Sequence, residues 1–145
     1  KFMFGVSVFW AYLWFSQFML IWYANIPEEV VYFVARIQDY SLPFWGMIVT
    51  NLIFPFLVLM NSDYKRVNWL IVMTGIVILF GHYLDFYNMI MPGTVGDQWF
   101  IGIPEMGGVL FFGGLFIYIV FKTLTKVSLE PSGDPLFKES EKFVY

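Results

Sequence analysis

Four long runs of apolar residues, at 2–24, 42–60, 69–91 and 105–124, are separated by shorter stretches that hold most of the charges. Each run is close to the ~20 residues that a helix needs to cross a bilayer at a rise of about 1.5 Å per residue. In hydrocarbon every backbone amide and carbonyl must be paired internally, so the runs read as helices. The pattern predicts an all-α membrane protein whose four transmembrane helices form a bundle, over residues 1–128. Between the first two runs, Pro27 is followed by Glu28 and Glu29, with Arg36 further on. Proline and acids in a first turn are helix-start signals, so a short interfacial helix is predicted there. The tail, 129–145, differs in kind. Pro131, Gly133, Asp134 and Pro135 mark a loop, and the last ten residues form a short amphipathic stretch. Such a tail is expected to rest on a cytoplasmic surface or a partner.

The charges set the orientation. If the spans alternate, Lys1, Lys65, Arg66, Lys122 and Lys126 fall on one side and Arg36 stands alone on the other. The positive-inside rule then puts both ends of the segment in the cytoplasm.

Composition agrees and narrows the function. The 145 residues are 59% hydrophobic and 13% charged, and the mean hydropathy is +0.70, which excludes a soluble enzyme. A net charge of −3 offers no basic surface to nucleic acid. The absence of cysteine excludes a disulfide framework, a cysteine-ligated iron–sulfur cluster and thiol chemistry within this chain. A single histidine excludes bis-histidine haem ligation by this chain alone, and no metal site is expected.

That histidine, His82, lies inside the third run, three residues before Asp85. Residues at i and i+3 share a helix face, so the two can touch each other or a common partner. An ionisable group at the bilayer centre costs about 2.5–3.5 kcal/mol, and such groups mark pathways. The pair is therefore a candidate proton relay, with a polar lock between helices as the competing reading. Glu28, Glu29 and Glu105 are candidates for the outer mouth of such a path. Each also has a plainer reading, as an acid complementing a helix N-terminus, and Arg36 could pair with one of the first two. Asn51 is a candidate for a water or proton wire. Pro55 lacks an N–H and frees the Asn51 carbonyl, which alternatively marks only a kink. Ser16 and Gln17 suit interhelical hydrogen bonds, and Gly107 with Gly114 suits close helix packing. The stretch 92–104 reads as an apolar loop without any phosphate-binding glycine motif.

Two stretches carry a resemblance. FWAYLWFSQFMLIWYANIPEEVVYF, at 9–33, and GHYLDFYNMIMPG, at 81–93, are similar to polysulfide-reductase-C-like (NrfD-like) membrane subunits, as is DPLFKES at 134–140. Among these, the chain most resembles the second such subunit of the bacterial alternative complex III. The resemblance implies a parent of about ten helices, of which this chain is the C-terminal four-helix part. It implies a bacterial inner-membrane complex of the respiratory chain that oxidises quinol and passes electrons on. Its partners would be an iron–sulfur protein, haem c proteins, a sister NrfD-like subunit, lipids and a terminal oxidase. Quinol, iron–sulfur clusters and haem c are expected in those partner subunits, with no cofactor bound by this chain. In such subunits the quinol site belongs to the first bundle, so no residue here is assigned to it. What remains for this segment is proton translocation or scaffold work, without a self-contained catalytic site. A purely structural subunit is the alternative. A secondary transporter fragment ranks last, because it needs broken helices and only Pro55 offers a break.

Overall fold

The computed structural model describes residues 1–97, 100–128 and 135–142. The described residues are helix, turn or loop, with no strand among them. Four helices are long and apolar enough to cross a membrane: Phe2–Ala24, Ser41–Met60, Asn68–Thr94 and Ile103–Leu124. The protein is thus an all-α, membrane-embedded chain. It divides into two compact units, Lys1–Trp99 and Phe100–Tyr145.

In the first unit, α1 (Phe2–Ala24) ends at Asn25, whose left-handed backbone (φ 50°) lets its amide cap Ile21 O. Asparagine tolerates that conformation better than most residues. The predicted short helix follows as α2 (Pro27–Gln38), with Pro27 in its first turn, Glu28 and Glu29 beside it and Arg36 in its last turn. Next come α3 (Ser41–Ile48), a π turn (Val49–Ile53) and α4 (Phe54–Met60), which together make the second span. A 3₁₀ turn (Tyr64–Arg66) leads into α5 (Asn68–Thr94).

Ring and side-chain contacts give the register. Phe4 meets Phe56 at 5.8 Å between centroids, Trp14 meets Phe44 at 5.7 Å, and Asn88 meets Met47 at 3.5 Å. Along α1 and α5, Met3 lies against Gly75 and Trp10 against Asp85. So α1 and α5 run parallel, and the second span runs antiparallel to both. The buried centre is Phe33, Phe44, Met47 and Leu84, with Trp14 and Phe18 packed on it. Phe18 and Phe33 meet edge to face at 5.1 Å. Lipid is as apolar as these side chains, so close packing and polar contacts hold them together rather than escape from water.

Two spans differ from the sequence expectation in an informative way. The second span was expected to kink at Pro55. Its distortion instead begins one turn earlier, where the Phe54 amide reaches back five residues to Val49 O. Pro55 then sits in the first turn of α4, where its missing N–H disturbs least. Thr50 Oγ1 donates back to Gly46 O at 2.7 Å, which favours such bending. The third span was expected to end at 91, with a loop from Pro92. The helix carries on through Pro92 to Thr94.

Close approach at the π turn depends on Gly81. A Cβ there would fall on Asn51 Oδ1 and 2.5 Å from Thr50 Oγ1. At the α2 end of the unit, Tyr40 is almost wholly buried and its hydroxyl donates to Gly96 O at 2.6 Å.

The second unit holds α6 (Ile103–Leu124) and the short α7 (Phe137–Lys142). Pro104 lies in the first turn of α6, and Glu105 Oε2 accepts a hydrogen bond from the Gly102 amide at 2.8 Å. No atom outside the local helix backbone comes within 4 Å of an added Cβ at Gly107 or Gly114. Residues 129–134 and 143–145 of the expected tail lie outside the described residues.

Gly81→Ala is expected to destabilise the protein by about 1–3 kcal/mol, because backbone and buried polar groups must shift; unfolding in mixed micelles would measure it. Burial pushes the Tyr40 phenol above its ordinary value, and the Asp97 and Asp39 charges push it the same way. The unfolded chain ionises near pH 10 and the folded one higher, so Tyr40 contributes fully below about pH 10 and loses its contribution above. Tyr40→Phe should cost about 1 kcal/mol at neutral pH and flatten the alkaline fall in stability.

Candidate functional site

The site begins with a backbone defect. Pro92 has no N–H, so the carbonyl four residues back, that of Asn88, loses its helical donor. Arg36 Nε donates to Asn88 O at 2.9 Å, and Nη2 donates to the neighbouring Met89 O at 3.2 Å. Nη1 donates to Tyr32 O at 2.7 Å within α2, and the guanidinium lies 3.4 Å from the Tyr32 ring centroid. Burial lowers the Arg36 pKa from its ordinary value, and Tyr32 acts against that shift. An arginine in this setting keeps its charge at neutral pH. Arg36 thus completes α5 where proline breaks it. The residue read as a lone surface charge, or as a partner for Glu28 or Glu29, is 8% exposed and spends its bonds on carbonyls.

Arg36 lines one part of a half-open cavity of about 200 Å³ among α1, α2, α3 and α5. Asp85, Asn88, Gln17 and Trp10 supply its other polar groups, and Trp14, Tyr32, Phe33 and Phe44 supply aromatic walls. Trp10 Nε1 donates to Asp85 Oδ2 at 2.9 Å. The same indole meets the His82 ring edge to face at 6.1 Å. The expected shared face of His82 and Asp85 is present, and Trp10 on α1 is their common partner. Asn88 is 2% exposed; its amide nitrogen contacts Met47 Sδ, and its Oδ1 has no hydrogen-bond partner. A buried acceptor left unmet costs about 1–3 kcal/mol, so this oxygen is a local cost to the fold.

The other sequence candidates fall elsewhere. Asn51 is buried at the π turn against Gly81, and neither of its side-chain polar atoms has a partner. Ser7 Oγ on α1 is likewise buried and unpartnered. Glu28 and Glu29 are exposed on the first turn of α2 and do not line the cavity. Glu105 belongs to the second unit, where it caps the start of α6. Among the described residues no three His, Asp or Glu side chains gather as metal ligands would.

Arg36, Asn88 and Trp10 were not among the sequence candidates. Pro92 was the signal for the first two, since a proline four residues after Asn88 announces a carbonyl in need of a donor. The cavity can hold water or a small polar group, bring it to an ionisable carboxylate, and present a fixed positive charge. No protein-family model matches the sequence, and no curated protein matches it.

Arg36→Met is expected to cost about 2–4 kcal/mol, since the buried Asn88 carbonyl loses its donor and the guanidinium packing on Tyr32 is lost. Pro92→Ala restores an N–H to Asn88 O, so Arg36→Met should cost at least about 1 kcal/mol less in that background. A double-mutant cycle by unfolding in micelles measures the coupling, and strict additivity would refute the link.

Proposed function

We propose that this chain is a membrane subunit of a respiratory quinol-oxidising electron-transfer complex, contributing a transmembrane proton path and a scaffold rather than a redox centre. The family is the one suggested by the stretches at 9–33 and 81–93, the polysulfide-reductase-C-like subunits of the alternative complex III type. The segment then lies in a bacterial cytoplasmic membrane with both ends cytoplasmic. The charge asymmetry of Lys1, Lys65, Arg66, Lys122 and Lys126 supports that orientation. Lys65 Nζ lies 4.7 Å from the Phe4 ring centroid, so the start of α1 and the α4–α5 turn share one end of the first unit.

One observation carries the proton role. Asp85, within a membrane-spanning helix, opens on a cavity shared with Arg36. The cavity has room for water, and a hydrated carboxylate can take up and release a proton. His82 lies on the same face toward the start of α5, and both side chains meet Trp10. Beyond them, Asn51 and Ser7 supply further buried polar atoms without protein partners. On the other side, Glu28 and Glu29 stand exposed at the α2 end.

A second reading is favoured by a specific contact. The Trp10–Asp85 hydrogen bond ties α1 to α5 across 75 residues and could serve only to lock these helices. Asp85→Asn in the assembled complex separates the two. The proton reading expects coupled proton movement to fall by roughly 10²-fold, with the complex still assembled. Unchanged proton movement and turnover, with a lower yield of complex, would establish the lock instead.

A further inference from the structure

The cavity has a neighbour. An apolar groove of about 330 Å³ runs beside it between α1 and the second span, lined by Val8, Ala11, Phe15, Ile48 and Leu52. Trp10 and Trp14 line both spaces. The order along the helices fixes their relative depth. The polar cavity takes Gln17 of α1, Phe44 of α3 and Arg36 of α2, all toward the α2 end of the unit. The groove takes residues nearer the middle of α1 and of the second span. A polar chamber toward one membrane face therefore has an apolar groove beside it toward the midplane, with Trp10 and Trp14 as shared walls. That is how a lipid lies in its leaflet, with its head at the interface and its chain pointing inward.

The chamber's chemistry selects the head. Arg36 uses three guanidinium N–H groups on carbonyls, and a guanidinium carries five, so donors and charge remain for a phosphate. Asp85 supplies a negative charge to the chamber. A glycerol head offers hydroxyls but no cation for Asp85. A choline head offers a cation without a single N–H. A primary ammonium joined to a phosphate meets both charges and gives Asp85 an N–H donor.

We infer that the chamber and groove form a binding site for a zwitterionic phospholipid with a primary ammonium head, of the phosphatidylethanolamine class. The phosphate sits by Arg36, the ammonium faces Asp85, and one acyl chain follows the groove. The bound head would close the open side of the cavity against hydrocarbon. This site stands whether or not Asp85 carries protons.

The test needs no substitution at first. The intact protein, as isolated from its membrane and stripped of lipid, is titrated with one acyl composition bearing ethanolamine, N-methyl-, N,N-dimethyl-ethanolamine, choline or glycerol heads. Native mass spectrometry reads the bound lipid. Retention should fall stepwise with each N-methyl group, by about tenfold from ethanolamine to choline, the worth of one charge-assisted hydrogen bond. Asp85→Asn should remove that preference, and it is read only in protein that stays folded. Equal retention of ethanolamine and choline lipids would overturn the proposal, as would preference for the glycerol head. Failure to retain any lipid would also overturn it and assign the groove to another helix.

Discussion

A backbone carbonyl in hydrocarbon has no water to turn to, and leaving it unpaired costs several kcal/mol. Pro92 creates that situation inside α5, and Arg36 resolves it from a different helix, 52 residues away in sequence. Much of the first unit follows from this exchange. It fixes α2 against α5, which places the Tyr32–Phe33 pair over Trp14 and Phe18 and closes the buried centre. It brings a guanidinium below the interface without a carboxylate as its hydrogen-bond partner. A carbonyl carries only a partial charge, so the positive charge is solvated but not cancelled. It remains available to whatever enters the adjoining cavity.

The same logic separates the two acidic groups of interest. Glu105 uses its carboxylate on the first free amide of its own helix, a local task that leaves little for chemistry. Asp85 accepts one hydrogen bond from an indole and otherwise opens on the chamber. An indole N–H carries no formal charge to set against the carboxylate. The position of Trp10 between Asp85 and His82 means that any rotation of that ring alters both neighbours together. A chamber walled by large aromatic rings is also stiff, since such side chains have few rotamers and pack edge to face.

The sequence was most legible where the signal was local. Span number followed from run length, and the start of α2 followed from Pro27 with two acids beside it. The shared face of His82 and Asp85 followed from their spacing. Legibility stopped where a partner came from far along the chain. Pro92 read as a helix end because proline removes a donor, and nothing near it in sequence announces that Arg36 will replace what is missing. For the same reason Arg36 read as a lone charge on one side or as a partner for Glu28 or Glu29. The stretch 92–104 read as an apolar loop, yet its first three residues, Pro92, Gly93 and Thr94, are still helix. Asp85 was visible as a buried acid, but Trp10, 75 residues earlier, was one tryptophan among several on an evenly apolar helix.

The π turn has a further effect, on phase. Along the second span the buried positions Met47, Asn51, Pro55 and Leu59 recur every fourth residue. At about 3.6 residues per turn such a spacing drifts by roughly 40° each step, so a regular helix would carry Leu59 well away from the face that holds Met47. A turn that spends five residues on its hydrogen-bonded loop winds more slowly and takes back most of that drift. The wide turn works as a phase corrector, letting one straight seam of side chains face α1 and α5 from end to end. The backbone at Asn51 therefore carries one extra residue so that the residues on both sides of it stay in step.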